Sequence, residues 1–306
     1  MEKVLITGGT GMLGTALTNR LLEEGYEVII LTRKKRPTEG NTRYAAWDAE
    51  RGFIEEEAIK EADHIVHLAG ANLAEGRWTE KRKKIFRDSR VKTGELLVKS
   101  LRDIPNKVKT FVSASAIGYY GPDPSIPNAN PFREDAAPNN DYLGTLVQQW
   151  EGAIRPVEQL DKRLVVFRFG ILLSTTGGAY EAFRKPLGFG VSAVLGNGKQ
   201  VVSWLHIDDA TGMILTALRN TSMNGVYNAV APQPVSNKEL MKSLARHLAP
   251  KHIQLPVPAI FLKIGLGEMS IEVLKSATVS ADRIMNAGYQ FEYPDIDAAI
   301  RKLAVS

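Results

Sequence analysis

A glycine-rich turn near residue 1 constrains the fold of this chain more than any other sequence feature. Gly8, Gly11 and Gly14 follow the apolar run Lys3–Thr7 and open an amphipathic stretch that starts at Leu13. In a strand–turn–helix unit the first glycine permits a tight turn, the second lets backbone approach a diphosphate, and the third lets the helix pack closely. A purely structural glycine turn is the alternative, but the strand before it and the helix after it favour a dinucleotide site.

Short apolar runs alternate with amphipathic stretches through the first 175 residues. Glu27–Thr32 is almost continuously apolar, as buried parallel strands are, and Ile65–Ala69, Lys109–Ser115 and Val165–Leu173 predict further strands. Strand, helix, strand in this order implies right-handed crossovers. We therefore predict an α/β fold: a Rossmann-type doubly wound parallel sheet with a smaller, mainly helical C-terminal substrate lobe.

The pattern changes after about residue 232, where helices dominate and five prolines fall between positions 232 and 258. We predict that residues 1–175 and about 203–231 form the nucleotide-binding domain. Residues from about 176 to 202 and from 232 to 306 then form the substrate lobe. The substrate crevice is expected between the two, at the carboxyl ends of the strands.

The residues after the second strand bear on cofactor choice. A carboxylate there would bind the ribose 2′-hydroxyl of NAD, but the chain has four consecutive basic residues, Arg33 to Arg36. Positive charge suits a 2′-phosphate, so the sequence favours NADP over NAD. A solvated basic run, in which only Arg33 faces the ligand, is the alternative.

Composition limits the compartment and the chemistry. Of 306 residues, 44% are hydrophobic and 24% are charged, which is ordinary for a globular protein and excludes a disordered chain. The absence of cysteine excludes disulfides, thiol nucleophiles and thiolate metal sites. We found no apolar run of ~18 residues and no signal peptide, so we expect a cytoplasmic protein without a membrane partner.

Charge does not by itself identify a partner. The net charge is +5, and the stretch Arg77–Lys92 holds eight basic and two acidic residues. A solvated helix flank explains this stretch better than nucleic-acid binding, because no recognition motif accompanies it. His206, Asp208 and Asp209 lie close in sequence, but their spacing favours anchoring of a loop over binding of a metal. We predict no metal site and no nucleic-acid partner, and the sequence leaves the oligomeric state open.

Several segments together resemble one family. They are His67–Gly70, Ser113–Gly121 and Trp204–Asp209, and with the glycine turn they are similar to the extended short-chain dehydrogenase/reductase superfamily. Finer details resemble its atypical epimerase-family branch of NAD-dependent epimerase/dehydratases, sometimes labelled cell-division-inhibitor homologues. Those details are Ala69–Asn72, Arg77–Thr79, Asp88–Val91, the doubled Tyr119-Tyr120 and Gln200–Trp204. The resemblance covers nearly the whole chain.

The glycine pattern, the basic run and the resemblance together imply a set of cofactor contacts. Asp48, after the third strand, matches the acid that contacts adenine in the superfamily. The full set is Gly8, Thr10, Gly11, Met12, Leu13, Gly14, Thr32, Arg33, Asp48, Leu68, Ala69, Gly70, Ser89 and Ser113.

The catalytic pattern of the superfamily is only partly present. Its members normally use a serine with a Tyr-x-x-x-Lys pair, in which the lysine helps tyrosinate to accept a proton. None of the nine tyrosines here has a lysine four residues later, and aligning the helix on Glu151 puts Leu143 and Val147 at those positions. Ser115 matches the catalytic serine, although a strand-end serine that caps a turn is an equal alternative.

Tyr119 and Tyr120 are the candidates to replace the missing acid–base group, with packed aromatic residues as the alternative. The sequence thus predicts an NADP(H)-binding, oxidoreductase- or epimerase-like protein that acts on an unidentified small polar substrate, a nucleotide sugar being one candidate. A non-catalytic NADP(H)-binding or sensing protein on the same fold is the second hypothesis.

Overall fold

The computed structural model describes residues 1–34 and 36–305. The strands are β1 (Lys3–Thr7), β2 (Glu27–Thr32), β3 (Thr42–Asp48), β4 (Phe53–Ile54), β5 (His64–His67), β6 (Thr110–Ala116), β7 (Arg163–Phe169), β8 (Ile171–Ser174), β9 (Gly177–Gly178), β10 (Val191–Leu195), β11 (Val201–Val202), β12 (Trp204–His206), β13 (Gly225–Ala229), β14 (Val235–Ser236) and β15 (Ile253–Val257).

The α-helices are α1 (Met12–Glu23), α2 (Glu56–Glu61), α3 (Glu80–Asp103), α4 (Tyr142–Ile154), α5 (Ala179–Leu187), α6 (Ile207–Arg219), α7 (Asn237–Leu248), α8 (Ala259–Leu266), α9 (Ser270–Leu274), α10 (Asp282–Asn286) and α11 (Ile296–Val305). Short 3₁₀ turns occupy Ile117–Tyr119, Arg155–Gln159 and Gly267–Met269.

One eight-stranded sheet organises the molecule. Its order is β13-β7-β6-β5-β1-β2-β3-β4, and every neighbouring pair is parallel except β3 and β4. The order reverses at β1, which has β2 on one side and β5 on the other. This confirms the predicted Rossmann-type doubly wound sheet, and it places the expected ligand crevice at the carboxyl end of β1.

Alternating side chains of the strands build a separate core on each face of the sheet, as period-two strands require. Val4 and Ile6 of β1 pack with Leu17 of α1 and Ile214 of α6 on one face. Leu5, between them in sequence, packs on the other face with residues of α2 and α3. A third core, which includes Tyr180, Leu240 and Ile300, joins α5, α7 and α11.

The predicted strand Val165–Leu173 is wrong as one element, because the chain changes sheet at Gly170. A Cβ atom at Gly170 would lie 2.4 Å from the carbonyl oxygen of Ser203, so only glycine permits this close passage. β7 stays in the main sheet, whereas β8 pairs with β12 in a small three-stranded sheet.

The region from residue 203 to residue 231 therefore serves both sheets, since β12 joins the small sheet and β13 completes the main one. No described strand after residue 232 enters the main sheet. The division of the chain into two domains at the predicted boundaries stays a prediction.

Candidate nucleotide-binding and catalytic site

The turn after β1 lies directly against the loop after β5, at the reversal point of the sheet. Gly8 has a φ angle of +70°, a left-handed conformation that favours glycine. A Cβ atom at Gly8 would lie 2.8 Å from the carbonyl oxygen of Leu68. The first glycine of the pattern is thus required by both the tight turn and the contact between the two loops.

The other two glycines bring α1 close to this turn. A Cβ atom at Gly14 would lie 2.3 Å from the carbonyl oxygen of Gly8, and a Cβ atom at Gly11 would lie 3.3 Å from the same oxygen. The N–H of Gly11 donates to that oxygen at 3.0 Å, and no described side chain caps α1. The helix therefore presents the N–H groups of Met12 and Leu13, and its positive dipole end, to an anion.

Open space adjoins this helix end. A cavity of about 480 Å³ lies between the start of α1 and the start of α6, and exposed Thr10 and Gly11 form part of its wall. The rest of the wall is made by Met12, Thr15, Ala16, Asn19, Ser174, Thr175, Thr176, His206, Ile207, Asp208, Lys302 and Leu303.

A buried hydrogen-bond network holds the loop after β5 against the turn. The hydroxyl of Thr7 accepts from the N–H groups of Leu68 and Ala69 at 3.1 Å each, and its oxygen lies 2.7 Å from Nδ1 of His67. Because the Thr7 hydroxyl already accepts two hydrogen bonds, we assign it as the donor to Nδ1 of His67. The ring proton of His67 is then on Nε2, which faces Thr93. Burial lowers the pKa of His67 to about 4, so the ring is neutral.

The start of the segment after Ala69 is shaped by α3. Oγ of Ser89 accepts from the N–H of Ala71 at 2.9 Å and donates to the carbonyl oxygen of Phe86 at 3.0 Å. A Cβ atom at Gly70 would lie 3.0 Å from the guanidinium carbon of Arg90. Ser89 and Gly70 therefore define the shape of this loop, and their contact with a cofactor stays a prediction.

Two further predicted cofactor residues form local hydrogen bonds. Ser113 is fully buried in β6, and its hydroxyl donates to the carbonyl oxygen of Ala114 at 2.9 Å. Asp48 ends β3, where Oδ1 accepts from the N–H groups of Glu50 at 3.0 Å and Arg51 at 3.2 Å. The carboxylate of Asp48 thus stabilises its own turn while remaining partly exposed.

The basic run after β2 is open to solvent. Within the described residues Arg33 is exposed and forms no ion pair, whereas the guanidinium of Arg36 lies 5.5 Å from the ring centre of Tyr44. A cavity of about 440 Å³ lies beside Thr32, lined also by Lys34, Arg36, Pro37, Tyr44, Ala45, Ala46 and Glu55. Lys35, which belongs to the predicted run, lies outside the described residues. The exposed cations remain available for an anionic ligand.

The candidate catalytic serine is hydrogen-bonded to a carboxylate that sequence reasoning used only to align a helix. The hydroxyl of Ser115, at the end of β6, donates to Oε1 of Glu151 on α4 at 2.6 Å. Arg168 of β7 donates to both carboxylate oxygens of Glu151, at 2.8 Å and 2.9 Å. This bidentate pair is the strong geometry for arginine with carboxylate, and both side chains are largely buried.

The two adjacent tyrosines have different environments. Tyr120 is fully buried, donates to Oδ1 of Asn228 at 2.7 Å and accepts from Arg168 at 2.9 Å. Burial raises the pKa of Tyr120 to about 12, which opposes a role as a base near neutral pH. Tyr119 is only partly buried, and its ring lies 3.4 Å from the guanidinium carbon of Arg168. Of the two, only Tyr119 offers an accessible ring.

The helix that carries the Tyr–Lys pair in related enzymes is apolar here. Leu143, Leu146 and Val147 are buried on α4, and the two leucines pack with Phe86. Glu151 and Arg168 were missed as members of the site. Arg168 was the available signal, because it interrupts the apolar run that follows Arg163 in this strand and a buried arginine needs a partner.

The charged helix flank is largely neutralised within the chain. Asp88 pairs with Lys84, Arg87 and Lys92, and Glu75 pairs with Arg82. The absence of a nucleic-acid partner stays a prediction. Among the described residues no three His, Asp or Glu side chains converge as metal ligands, and no described helix combines the length and apolarity of a membrane span.

Comparison with known families matches two parts of the chain. Residues 4–149 match the NAD dependent epimerase/dehydratase family, and residues 257–303 match a domain of unknown function, DUF1731. The epimerase family protein YfhF of Bacillus subtilis is 35% identical over 302 residues, which cover 98% of this chain and 97% of that protein.

Solved structures of two epimerase proteins also resemble this chain. The human epimerase family protein SDR39U1 (isoform 2), solved with NADPH, has a TM-score of 0.88 and 32% identity, and 99% of each chain is covered. A nucleoside-diphosphate sugar epimerase from Corynebacterium glutamicum has a TM-score of 0.78 and 30% identity over 99% of this chain and 58% of its own.

Proposed function

The chain belongs to the epimerase family that carries the NAD-dependent epimerase/dehydratase domain, and we propose that it binds NADP(H) and acts as an oxidoreductase- or epimerase-like enzyme. Its substrate is a small polar molecule. The observation that carries the proposal is the turn at Gly8, Gly11 and Gly14, where a Cβ atom at Gly8 or Gly14 would clash with a backbone carbonyl group. The human relative solved with NADPH supports the choice of cofactor.

The residues around the cradle fit a phosphorylated nucleotide. The free N–H groups of Met12 and Leu13 at the start of α1 would hold the diphosphate, and Arg33 would face the 2′-phosphate. A bound nicotinamide supplies hydride transfer to or from carbon. The backbone at Leu68 and Ala69, fixed by Thr7, would form the floor beneath the cofactor.

In the proposed enzyme a group other than the usual Tyr–Lys pair transfers the proton. Ser115 donates its own hydrogen to Glu151, so its free lone pairs can accept a hydrogen bond from a substrate hydroxyl. Glu151 is then the nearest carboxylate able to receive a proton through the serine. Arg168 donates to both oxygens of that carboxylate and orients it, so the three side chains form an ordered hydrogen-bonded path.

A specific observation also favours the second candidate, a non-catalytic NADP(H)-binding or sensing protein. The positions of the usual Tyr and Lys are taken by buried Leu143 and Val147, which cannot transfer a proton. A general acid or base raises the reaction rate ~10²–10⁴-fold, so its loss predicts a slow reaction or none.

Calorimetric titration tests the cofactor assignment. Arg33→Asp replaces a cation by an anion at the 2′-phosphate, so we expect NADPH affinity to fall roughly 10- to 100-fold, the value of one or two charge-assisted contacts. NADH affinity should hardly change. Arg155→Asp, at another exposed arginine that follows α4, is the matched control and should bind both nucleotides normally. Equal loss of both nucleotides in Arg33→Asp contradicts the assignment.

Hydride transfer from 4-deuterated NADPH to a panel of carbonyl compounds separates the enzyme from the sensor. Wild type is compared with Ser115→Ala, Tyr119→Phe and Tyr120→Phe. The enzyme is supported if wild type forms a deuterated product and Ser115→Ala forms none. Normal turnover in all three variants rejects the proposed catalytic residues, and tight NADPH binding with no product across the panel favours the sensor.

A further inference from the structure

Helix α8 exposes an apolar face that no other part of the described chain covers. None of its eight residues is buried. Ile260 is 58% exposed, Phe261 is 64% exposed and Ile264 is 62% exposed. Residues at spacings of three and four share one helix face, so these three side chains form one continuous apolar strip.

The strand before α8, and a loop beside the start of that strand, carry further exposed apolar side chains. Ile253 and Leu255 of β15 are 67% and 47% exposed, and side chains two apart lie on one face of a strand. Phe189 is 88% exposed. The N–H of Ile253 donates to the carbonyl oxygen of Gly190 at 2.9 Å, which brings the Phe189 loop beside the start of β15. We call these six side chains the apolar face.

The segment that carries most of the apolar face is basic, and the acidic residue that follows it, Glu268, pairs with Lys83. Positions 248 to 267 contain no acidic residue, although the chain has 34 among 306. Lys251 and Lys263 of this segment are exposed, as is Arg184 near the Phe189 loop. The one acidic residue of α5, Glu181, pairs with Lys185.

This charge distribution decides between occupants. In a symmetric dimer the same patch would meet itself, which would bring Lys251 and Lys263 against like charges. An anionic surface instead satisfies the lysines while the aromatic and aliphatic side chains leave water. Apolar residues beside lysines and free of acids are the composition of segments that lie in a membrane interface.

We propose that the apolar face binds the surface of an anionic lipid bilayer, with Phe189, Phe261 and Ile264 inserted at the headgroup level and the lysines against lipid phosphates. Such binding lies on the membrane without spanning it, so it differs from the expectation of no membrane partner drawn from the lack of an apolar span. The inference is independent of the reaction at the nucleotide site.

Co-sedimentation with vesicles tests the proposal on the full chain. We expect wild type to bind vesicles of equal phosphatidylglycerol and phosphatidylcholine, to bind pure phosphatidylcholine at least tenfold more weakly, and to lose binding in 0.5 M salt, since screening removes the lipid attraction. The double variant Phe261→Ser, Ile264→Ser should weaken binding at least tenfold. Lys251→Glu with Lys263→Glu should weaken it ~30-fold or more.

Matched variants at distant positions provide the controls. Phe53→Ser removes an apolar residue that is 52% exposed on β4, and Lys99→Glu reverses an exposed charge on α3. Both should sediment like wild type, and all variants should retain the thermal unfolding temperature of wild type within a few degrees.

Three results overturn the proposal. One is wild type that fails to sediment with either lipid. Another is equal loss of binding in Phe53→Ser and Lys99→Glu. The third is a dimer in light scattering that Phe261→Ser with Ile264→Ser converts to monomer, which would make the apolar face a contact between copies.

Discussion

The two sides of the crevice use their polar groups in opposite ways. Beside β1 the network of Thr7 and His67 holds backbone in place and leaves the N–H groups at the start of α1 unused. Beside β6 the polar side chains of Ser115, Glu151 and Arg168 are hydrogen-bonded to one another. The first side is arranged to receive a ligand, whereas most of the donors and acceptors on the second are already occupied.

This difference indicates which half of the proposed function the structure supports more directly. Glycines at contact distance from backbone are required by a nucleotide cradle and are costly without one, because glycine weakens helices and turns. A buried Glu–Arg pair, by contrast, stabilises strand and helix packing whatever the reaction. The cradle therefore supports nucleotide binding directly, whereas the proposed proton path through Ser115 and Glu151 stays a prediction.

Breaking the catalytic side should have the largest effect on stability. Arg168→Ala leaves Glu151 largely buried without its cation, so we expect the free energy of unfolding to fall by ~3–5 kcal/mol in urea denaturation. The double variant Arg168→Met, Glu151→Leu removes both charges. Its free energy of unfolding should fall clearly less than that of Arg168→Ala. A loss below 1 kcal/mol in Arg168→Ala would show that the pair is not buried as described.

Acid should destabilise the cofactor side through His67. The folded-state pKa of His67 is about 4 and its ordinary value is 6.5, so the unfolded chain takes up this proton first. Stability contributed by neutral His67 is thus full above pH 6.5 and is lost as pH falls towards 4, by roughly 3 kcal/mol in total. Urea midpoints at pH 7.5, 6 and 5 measure this slope, which His67→Gln should reduce. An unchanged slope in His67→Gln assigns the acid sensitivity elsewhere.

Alanine substitutions at two helical glycines, one on each side of the crevice, should have the smallest effects on stability. Gly14→Ala puts a methyl group 2.3 Å from the carbonyl oxygen of Gly8, so we expect a loss of ~1–3 kcal/mol in stability and at least tenfold weaker NADPH binding. At Gly152 of α4 no described atom outside the local helix backbone lies within 4 Å of the new methyl group. Gly152→Ala should therefore gain up to ~1 kcal/mol and bind NADPH normally. Equal behaviour of the two variants would contradict the close packing of α1.

The parts of the site that lie close together in sequence were predictable from it. The spacing of Gly8, Gly11 and Gly14 sets the turn, and the apolar strand before it sets the direction of α1. The absence of a Tyr–Lys pair is also a property of sequence, because a spacing of four residues fixes which side chains share a helix face. The family resemblance agreed with these local patterns and with the comparisons.

The tertiary structure decided what each polar side chain contacts. Ser115, Glu151 and Arg168 come from β6, α4 and β7, and only the parallel pairing of β6 with β7 brings them together. The pairing of β7 with β13 places Asn228 where it binds the buried Tyr120, whereas Tyr119, adjacent in sequence, stays partly exposed. Local periodicity encodes elements and turns, whereas contacts between distant strands depend on register and burial, which no local pattern contains.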